Sequence, residues 1–220
     1  MKFKLKNEWL NILVILSPTL YLLSVWNGLP EVVPTHWNHR GEVEDFGSKQ
    51  MLWLLAFVFP VGAYISFFIV PSLDPKKKLH LMGEKLYRMK FLTTALFSAL
   101  AIYIIHATQT TELNSEIGFS IMGVMFLVLG NFLPSIKPNY FLGIRVPWTL
   151  HNEYNWRKTH QMAGKFWMFG GLFILILSLY SPTSFSIGTL FVTIILLSIV
   201  PALYSFWLFK TGRDVLINNE

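Results

Sequence analysis

The sequence predicts an all-α, polytopic membrane protein with six transmembrane helices and both the N- and C-termini in the cytoplasm. Three observations predict it. Apolar residues make up 53% of the 220 and charged residues only 14%, against about 25% charged in an ordinary soluble domain. Five long stretches carry no charge at all. The cations gather in alternate connections between those stretches. Mean hydropathy is +0.48, which suits a chain solvated by lipid, where one span takes about 20 apolar residues.

The basic N-terminus, Met1 to Lys6, leads into a first span at residues 9–26. No small-residue cleavage site follows, and Trp26 and Pro30 close the segment, so it reads as an uncleaved span and not a signal peptide. Further spans are expected at 51–71, 91–109 and 117–136. Residues 166–209 run 44 positions without a charge. As one helix that stretch would reach roughly 66 Å, about twice the hydrocarbon thickness. The Ser181-Pro182-Thr183-Ser184 cluster breaks it, giving spans at 164–181 and 187–209. The whole chain is then one membrane domain, with a long external loop at 27–50 and cytoplasmic loops at 72–90 and 137–163. Pro18, Pro60, Pro134 and Pro201 sit in or near spans, where each removes an intrahelical bond.

Orientation follows from Lys and Arg. The N-terminus, the 72–90 and 137–165 segments and the C-terminal tail hold 16 of the 18, whereas the other loops hold only Arg40 and Lys49 together with half of the acids. The net charge of +6 is therefore a topology signal and a contact with membrane lipids, not a footprint for nucleic acid. No cysteine is present, which excludes disulfides, thiolate zinc sites and cysteine nucleophiles.

Two loops exceed simple connection. In the external one, Pro34 stiffens the entry, Gly41 and Gly47 permit turns, and Asp45 and Ser48 can satisfy backbone donors. His36, Trp37, Asn38 and Phe46 offer recognition surface, or alternatively a lid whose aromatics rest at the headgroup level. His36 and His39 beside Glu42, Glu44 and Asp45 lack the helical His-Glu-x-x-His arrangement of a zinc site. No metal and no cofactor are expected. In the cytoplasmic loop, Pro138, Asn139, Gly143, Pro147, Trp148 and Thr149 predict an ordered, non-helical first half. A helix capped by Asn152 follows, with Glu153 and Arg157 spaced to pair and with Trp156, His160, Ala163 and Trp167 on one face. Arg145 calls for a fixed partner: a carboxylate, backbone carbonyls or a lipid phosphate. Leu79, Met82, Leu86 and Met89 read as one face of a short surface helix on anionic lipid.

Within the charge-free stretches His106 is the sole residue of the His, Lys, Arg, Asp and Glu types, and Asn131 is polar but uncharged. Without intramembrane carboxylates a small-molecule transporter is disfavoured. No nucleophile motif or phosphate loop supports catalysis. The alternative reading is a membrane enzyme or lipid-modifying factor built on His36, His39 and Arg145.

The Pro34-Thr-His-Trp-Asn38…Gly41…Asp45-Phe-Gly-Ser-Lys49 segment resembles the external signature of the SdpI-type immunity family. The stretch Lys137-Pro-Asn-Tyr-Phe-Leu-Gly-Ile-Arg-Val-Pro-Trp-Thr149…Trp156-Arg-Lys-Thr-His160 resembles that family's second signature. The resemblance spans nearly the whole chain. It implies a bacterial plasma-membrane protein, not an enzyme, that protects its producer against a secreted toxic peptide. It further implies signalling through an ArsR-type repressor held at the membrane. On this reading Pro34, His36, Trp37, Asn38, Gly41, Asp45, Gly47 and Ser48 meet the peptide. Pro138, Asn139, Gly143, Arg145, Pro147, Trp148, Thr149, Trp156, Thr159 and His160 form the cytoplasmic docking signature.

Overall fold

The computed structural model describes residues 5–38, 42–110, 114–180 and 187–212. The turn at Ser181–Ser184 and the loop residues His39, Arg40 and Gly41 lie outside the described residues. Among the described residues six helices are long and apolar enough to cross a membrane: Glu8–Gly28, Lys49–Leu73, Glu84–Thr110, Glu116–Ser135, Glu153–Tyr180 and Gly188–Lys210. Their regular cores are α1 (Leu5–Val25), α2 (Phe59–Leu73), α3 (Glu84–Thr110), α4 (Ser115–Phe132), α6 (Glu153–Tyr180) and α7 (Ile187–Lys210). Pro147, Trp148 and Thr149, expected to be non-helical, instead lie in a short α5 (Pro147–His151) that precedes α6, with the proline at the helix start, where its missing N–H costs nothing. Only helices and closed barrels satisfy every backbone group inside lipid, and the six-span reading of the sequence holds. The 27–50 loop contains regular structure. Val32–Trp37 and Val43–Ser48 form an antiparallel hairpin, β1 and β2, with Val33 opposite Gly47 and Trp37 opposite Val43.

The prolines explain several interhelical bonds. A proline at position i leaves the carbonyl at i−4 without its helical donor. Pro201 frees the Leu197 carbonyl, and the Trp167 indole N–H donates to it at 2.8 Å. Pro60 frees the Ala56 carbonyl, and the Thr19 hydroxyl donates there at 3.2 Å. The backbone just before Pro60, Leu54–Val58, widens into a π-turn. Pro18 frees the Val14 carbonyl, which Ser17 caps from within the same helix at 2.8 Å. Each kink is thus compensated in polar terms, as lipid requires.

α4 and α6 cross most closely, antiparallel, through two glycine pairs. A methyl group on Gly123 would sit 2.9 Å from the Gly171 carbonyl oxygen, and one on Gly164 would sit 2.8 Å from that of Gly130. Small residues let backbones approach where no hydrophobic force joins helices in lipid. Ser120 and Ser178 share a hydrogen bond farther along the same seam, at 2.8 Å.

Two expectations change. The stripe Leu79, Met82, Leu86 and Met89 does not lie on lipid. Gly83, at φ +53°, separates a tight 3₁₀ turn, Leu79–Met82, from the start of α3. All four side chains are buried with Phe132, Ile136 and Trp156. An apolar face gains more by packing on a neighbouring protein surface than by resting at the membrane interface. Second, His106 is not the sole ionisable group within the spans. Glu8 and Lys90 fall inside membrane-capable helices, one residue beyond the charge-free stretches, and both are buried.

Candidate functional sites at the two ends of the bundle

The hairpin closes one end. Val33 is fully buried against Leu22, Leu29, Leu52, Ala56 and Ile105. Lys49 pairs with Glu31 at 2.7 Å and lies over the Trp26 ring, while its backbone N–H meets the Glu31 carbonyl at 3.0 Å. At the tip, Asn38 and Glu42 exchange backbone and side-chain bonds of 2.8 to 3.1 Å. Asp45 accepts from the Phe46 N–H at 2.8 Å, and Ser48 caps the turn into the second span by accepting from the Gln50 N–H. These are local backbone roles, as their types suggest. Gly47 is small because a methyl there would press on Thr35 at 2.8 Å.

Beneath the hairpin lies a cavity of about 580 Å³. Pro34, His36, Trp37 and Asn38 form its hairpin side. Leu55 and Phe59 from the second span, Tyr103 from α3 and Met122 from α4 form its floor. The Trp37 indole N–H is buried and has no hydrogen-bond partner among the described residues, an unsatisfied donor of a kind that ordinarily finds an acceptor. His36 is exposed, 3.5 Å from Glu44. Among the described residues no group of three His, Asp or Glu is placed to hold a metal.

At the other end, residues 137–160 form a lock. Asn139, wholly buried, donates to the Lys137 and Leu142 carbonyls at 2.8 and 3.0 Å and accepts from the Phe141 and Leu142 N–H groups at 2.7 Å each. Gly143 takes φ +98°, a region glycine alone enters freely, which lays the chain against His160. The Ile144 N–H donates to His160 Nε2 at 3.0 Å, and His160 Nδ1 bonds the Trp156 carbonyl at 2.8 Å. One ring nitrogen accepts and the other donates, so the buried imidazole is the neutral Nδ1–H tautomer. Its ring stacks on Trp156, centroids 4.1 Å apart, and the Trp156 N–H reaches the Ile136 carbonyl at 2.8 Å. Thr149 donates toward the Ile144 and Val146 carbonyls and accepts from the Val146 N–H at 3.1 Å. Thr159 donates to Asn155, which is joined to Ser205 of α7 in both directions, at 3.0 and 2.6 Å. Trp148 packs on Phe206 and Phe209.

Most of the second signature therefore faces inward. Pro138, Asn139, Thr149, Trp156, Thr159 and His160 are buried, whereas Tyr140, Arg145 and Pro147 are exposed. Arg145 donates to the Tyr140 carbonyl at 2.6 Å, a backbone acceptor from among the partners expected. Asn152 caps α6 at 2.9 Å. Glu153 pairs with Lys78 of the neighbouring loop in place of Arg157, because that lysine converges on the helix start while Arg157 lies over the Tyr154 ring. His36 and Arg145 sit at opposite ends of the bundle, so one active site cannot contain both.

A third cluster escaped sequence reading. Lys90 Nζ contacts both Glu8 carboxylate oxygens at 2.6 Å. Tyr64 and Asn11 each donate to the same carboxylate at 3.0 Å. The ammonium lies within 5 Å of the ring centroids of Tyr64, Phe68 and Tyr87. The pair ties α1, α2 and α3 together near the basic end. Its only sequence signal is one acid, Glu8, among the N-terminal lysines.

Comparison with known proteins agrees with the two signatures. Residues 135–205 match the SdpI/YfhL protein family, and residues 13–59 match a domain of unknown function, DUF1648. The chain is 21% identical to "Immunity protein SdpI" of Bacillus subtilis over 206 residues, 94% of this chain and 97% of that one. An uncharacterized protein of Archaeoglobus fulgidus is 41% identical over 56 residues, 26% of this chain and 31% of that one. No solved structure matches. By its six spans and by a relative aligned along nearly its whole length, the chain is a multi-pass plasma-membrane protein, and its lock segment is similar to the SdpI/YfhL family.

Proposed function

We propose that this chain is an immunity protein that protects the cell against a secreted toxic peptide, received at the hairpin end, which faces outward. The observation that carries this reading is the cavity under the hairpin. Its volume of about 580 Å³ lies within the range of about 300–1,000 Å³ typical of ligand pockets. Its floor is apolar, and it is lined by Trp37, whose buried indole N–H is unpartnered among the described residues and would be a donor for a peptide carbonyl once uncovered. The outward orientation rests on the 16 of 18 cations gathered at the opposite end. The named Bacillus relative supports the immunity role, and neither its name nor the family description denotes an enzyme.

The test is survival. A susceptible bacterium expressing the chain, with insertion verified, withstands the secreted peptide that kills its vector control, and Trp37→Ala lowers survival without lowering insertion. Equal killing of expressing and control cells overturns the proposal. Orientation has its own test, because the sequence lacks cysteine. Thr35→Cys takes up a membrane-impermeant maleimide in intact cells, and Arg145→Cys does so only after the membrane is opened. The reverse pattern inverts the assignment.

The exposed Tyr140, Arg145 and Pro147, held by the lock behind them, are the surface we assign to an ArsR-type repressor. Arg145→Glu then abolishes recruitment of the repressor to membranes while protection persists. Undiminished recruitment removes this assignment.

A further inference from the structure

At the basic end a second cavity, of about 560 Å³, lies among α1, α3 and α4. Its lining changes character along the helix axis. Lys85 and Arg88 in the first two turns of α3, with Ser135 just past α4, form a cationic and polar mouth. Leu10, Phe91 and Phe132 form an apolar wall. From Lys85 to Phe91 is about 9 Å along the helix, enough to pass from headgroup level toward acyl chains.

The charges at the mouth are incompletely answered. Among the described residues Lys85 Nζ meets only the neutral Ser135 hydroxyl, at 3.2 Å. Arg88 uses Nε and one terminal nitrogen on Glu84, at 3.2 and 2.7 Å. That pair is mostly exposed, of the kind that water screens and that binds weakly, and it leaves other guanidinium donors unused. Among the described residues no acidic side chain lines the cavity. Asn131 supplies an independent observation. Its side chain is exposed on the membrane-crossing α4 and lines the same cavity. A primary amide facing only acyl chains would leave its donors and acceptor unsatisfied, which lipid penalises.

The geometry points to an anionic phospholipid of the phosphatidylglycerol class as a resident ligand of this groove. Its phosphate lies between Lys85 and Arg88, its ester region at Asn131, and an acyl chain along Leu10, Phe91 and Phe132. Two cations with no acid in the lining favour an anionic over a zwitterionic headgroup. The planar guanidinium suits phosphate oxygens. The apolar wall distinguishes a lipid from free phosphate.

Native mass spectrometry of the full-length chain tests this, with release from micelles doped with palmitoyl-oleoyl phosphatidylglycerol or with the phosphatidylcholine of the same chains. The expected result is one retained phosphatidylglycerol, bound about tenfold more tightly than the choline lipid. The double change Lys85→Gln with Arg88→Gln erases that selectivity, whereas Lys77→Gln with Lys165→Gln, two exposed cations outside the groove, preserves it. Asn131→Leu weakens retention of both lipids, and excess inorganic phosphate displaces neither. Equal retention of the two lipids by the wild type overturns the assignment, as does loss of selectivity in the control pair or displacement by phosphate. Should the Lys85/Arg88 double variant not purify intact, Asn131→Leu decides alone, and unchanged retention there overturns it.

Discussion

Replacing Lys90 by Met should be among the most damaging changes available to a single side chain in this protein. Lys90 is completely buried, and its ammonium meets both oxygens of Glu8 at 2.6 Å. Methionine keeps the volume and the contact with Tyr64, Phe68 and Tyr87 but strands the carboxylate. Breaking one side of a buried pair typically costs about 3–5 kcal/mol. Glu8 would retain its bonds from Tyr64 and Asn11, which places the expected loss near the lower end, about 3 kcal/mol. For a chain of this length that is a fall of about 6–12 °C in Tm, readable by a thermal melt in detergent. Glu8→Gln added to Lys90→Met removes the stranded charge and keeps a carbonyl oxygen for the Tyr64 hydroxyl. The double variant should therefore recover to within about 1 kcal/mol of wild type. A Lys90→Met protein that melts with the wild type would refute the buried pair. So would a double variant whose loss equals the sum of the two single ones, since the residues would then not be coupled.

Gly143→Ala should destabilise by about 3 kcal/mol, because the residue sits at φ +98° and its new methyl would run into His160 Nε2; limited proteolysis of the 137–146 segment measures the loosened loop. Trp167→Phe should cost about 1 kcal/mol in a denaturant titration by leaving the Leu197 carbonyl bare. Adding Pro201→Ala should restore the loss, since the alanine N–H reclaims that carbonyl. Gly171→Leu should cost at least about 3 kcal/mol, because even a β-carbon there would lie 2.6 Å from the Gly123 carbonyl oxygen; gel filtration should show loss of the monodisperse protein.

The spans were legible because lipid imposes a coarse rule, a length of uncharged chain, that composition alone can meet. The same rule hid Glu8 and Lys90. A charge-free window ends where a charge begins, so both fell one residue outside, and only three-dimensional packing brings residues 82 positions apart into contact. The hairpin was obscured for a different reason. Pro34 and the register shifts around His36 break the simple alternation that marks a strand. The stripe from Leu79 to Met89 carried the correct periodicity, but amphipathicity says only that one face avoids water. It does not say whether lipid or Phe132, Ile136 and Trp156 cover that face. The lock segment could be read as ordered, from its prolines and glycine. That Asn139, Thr149 and His160 look inward, with Arg145 outward, depends on hydrogen bonds that span up to 16 positions.

These placements bear on how one end of the molecule can answer to the other. The lock, the Glu8–Lys90 pair and the glycine seam each over-determine the basic end, so a local rearrangement there would have to break several satisfied buried bonds at once. If the proposed function includes signalling, a signal from the hairpin would be better carried by whole helices than by refolding of the 137–146 loop. α3 suits that role. Its 27 residues include no glycine or proline, and it runs from Tyr103 in the cavity floor to Lys90 in the ion pair and Arg88 in the second groove. The second span has the opposite character: a π-turn beside the cavity, Pro60 directly after it, and a single hydroxyl from Thr19 on the freed carbonyl. Such turns recur at functional positions because they can shift register at small cost. On the proposed function, a peptide entering the cavity would meet one helix interrupted by a π-turn and one that is continuous. The continuous helix is the one tied to the basic end.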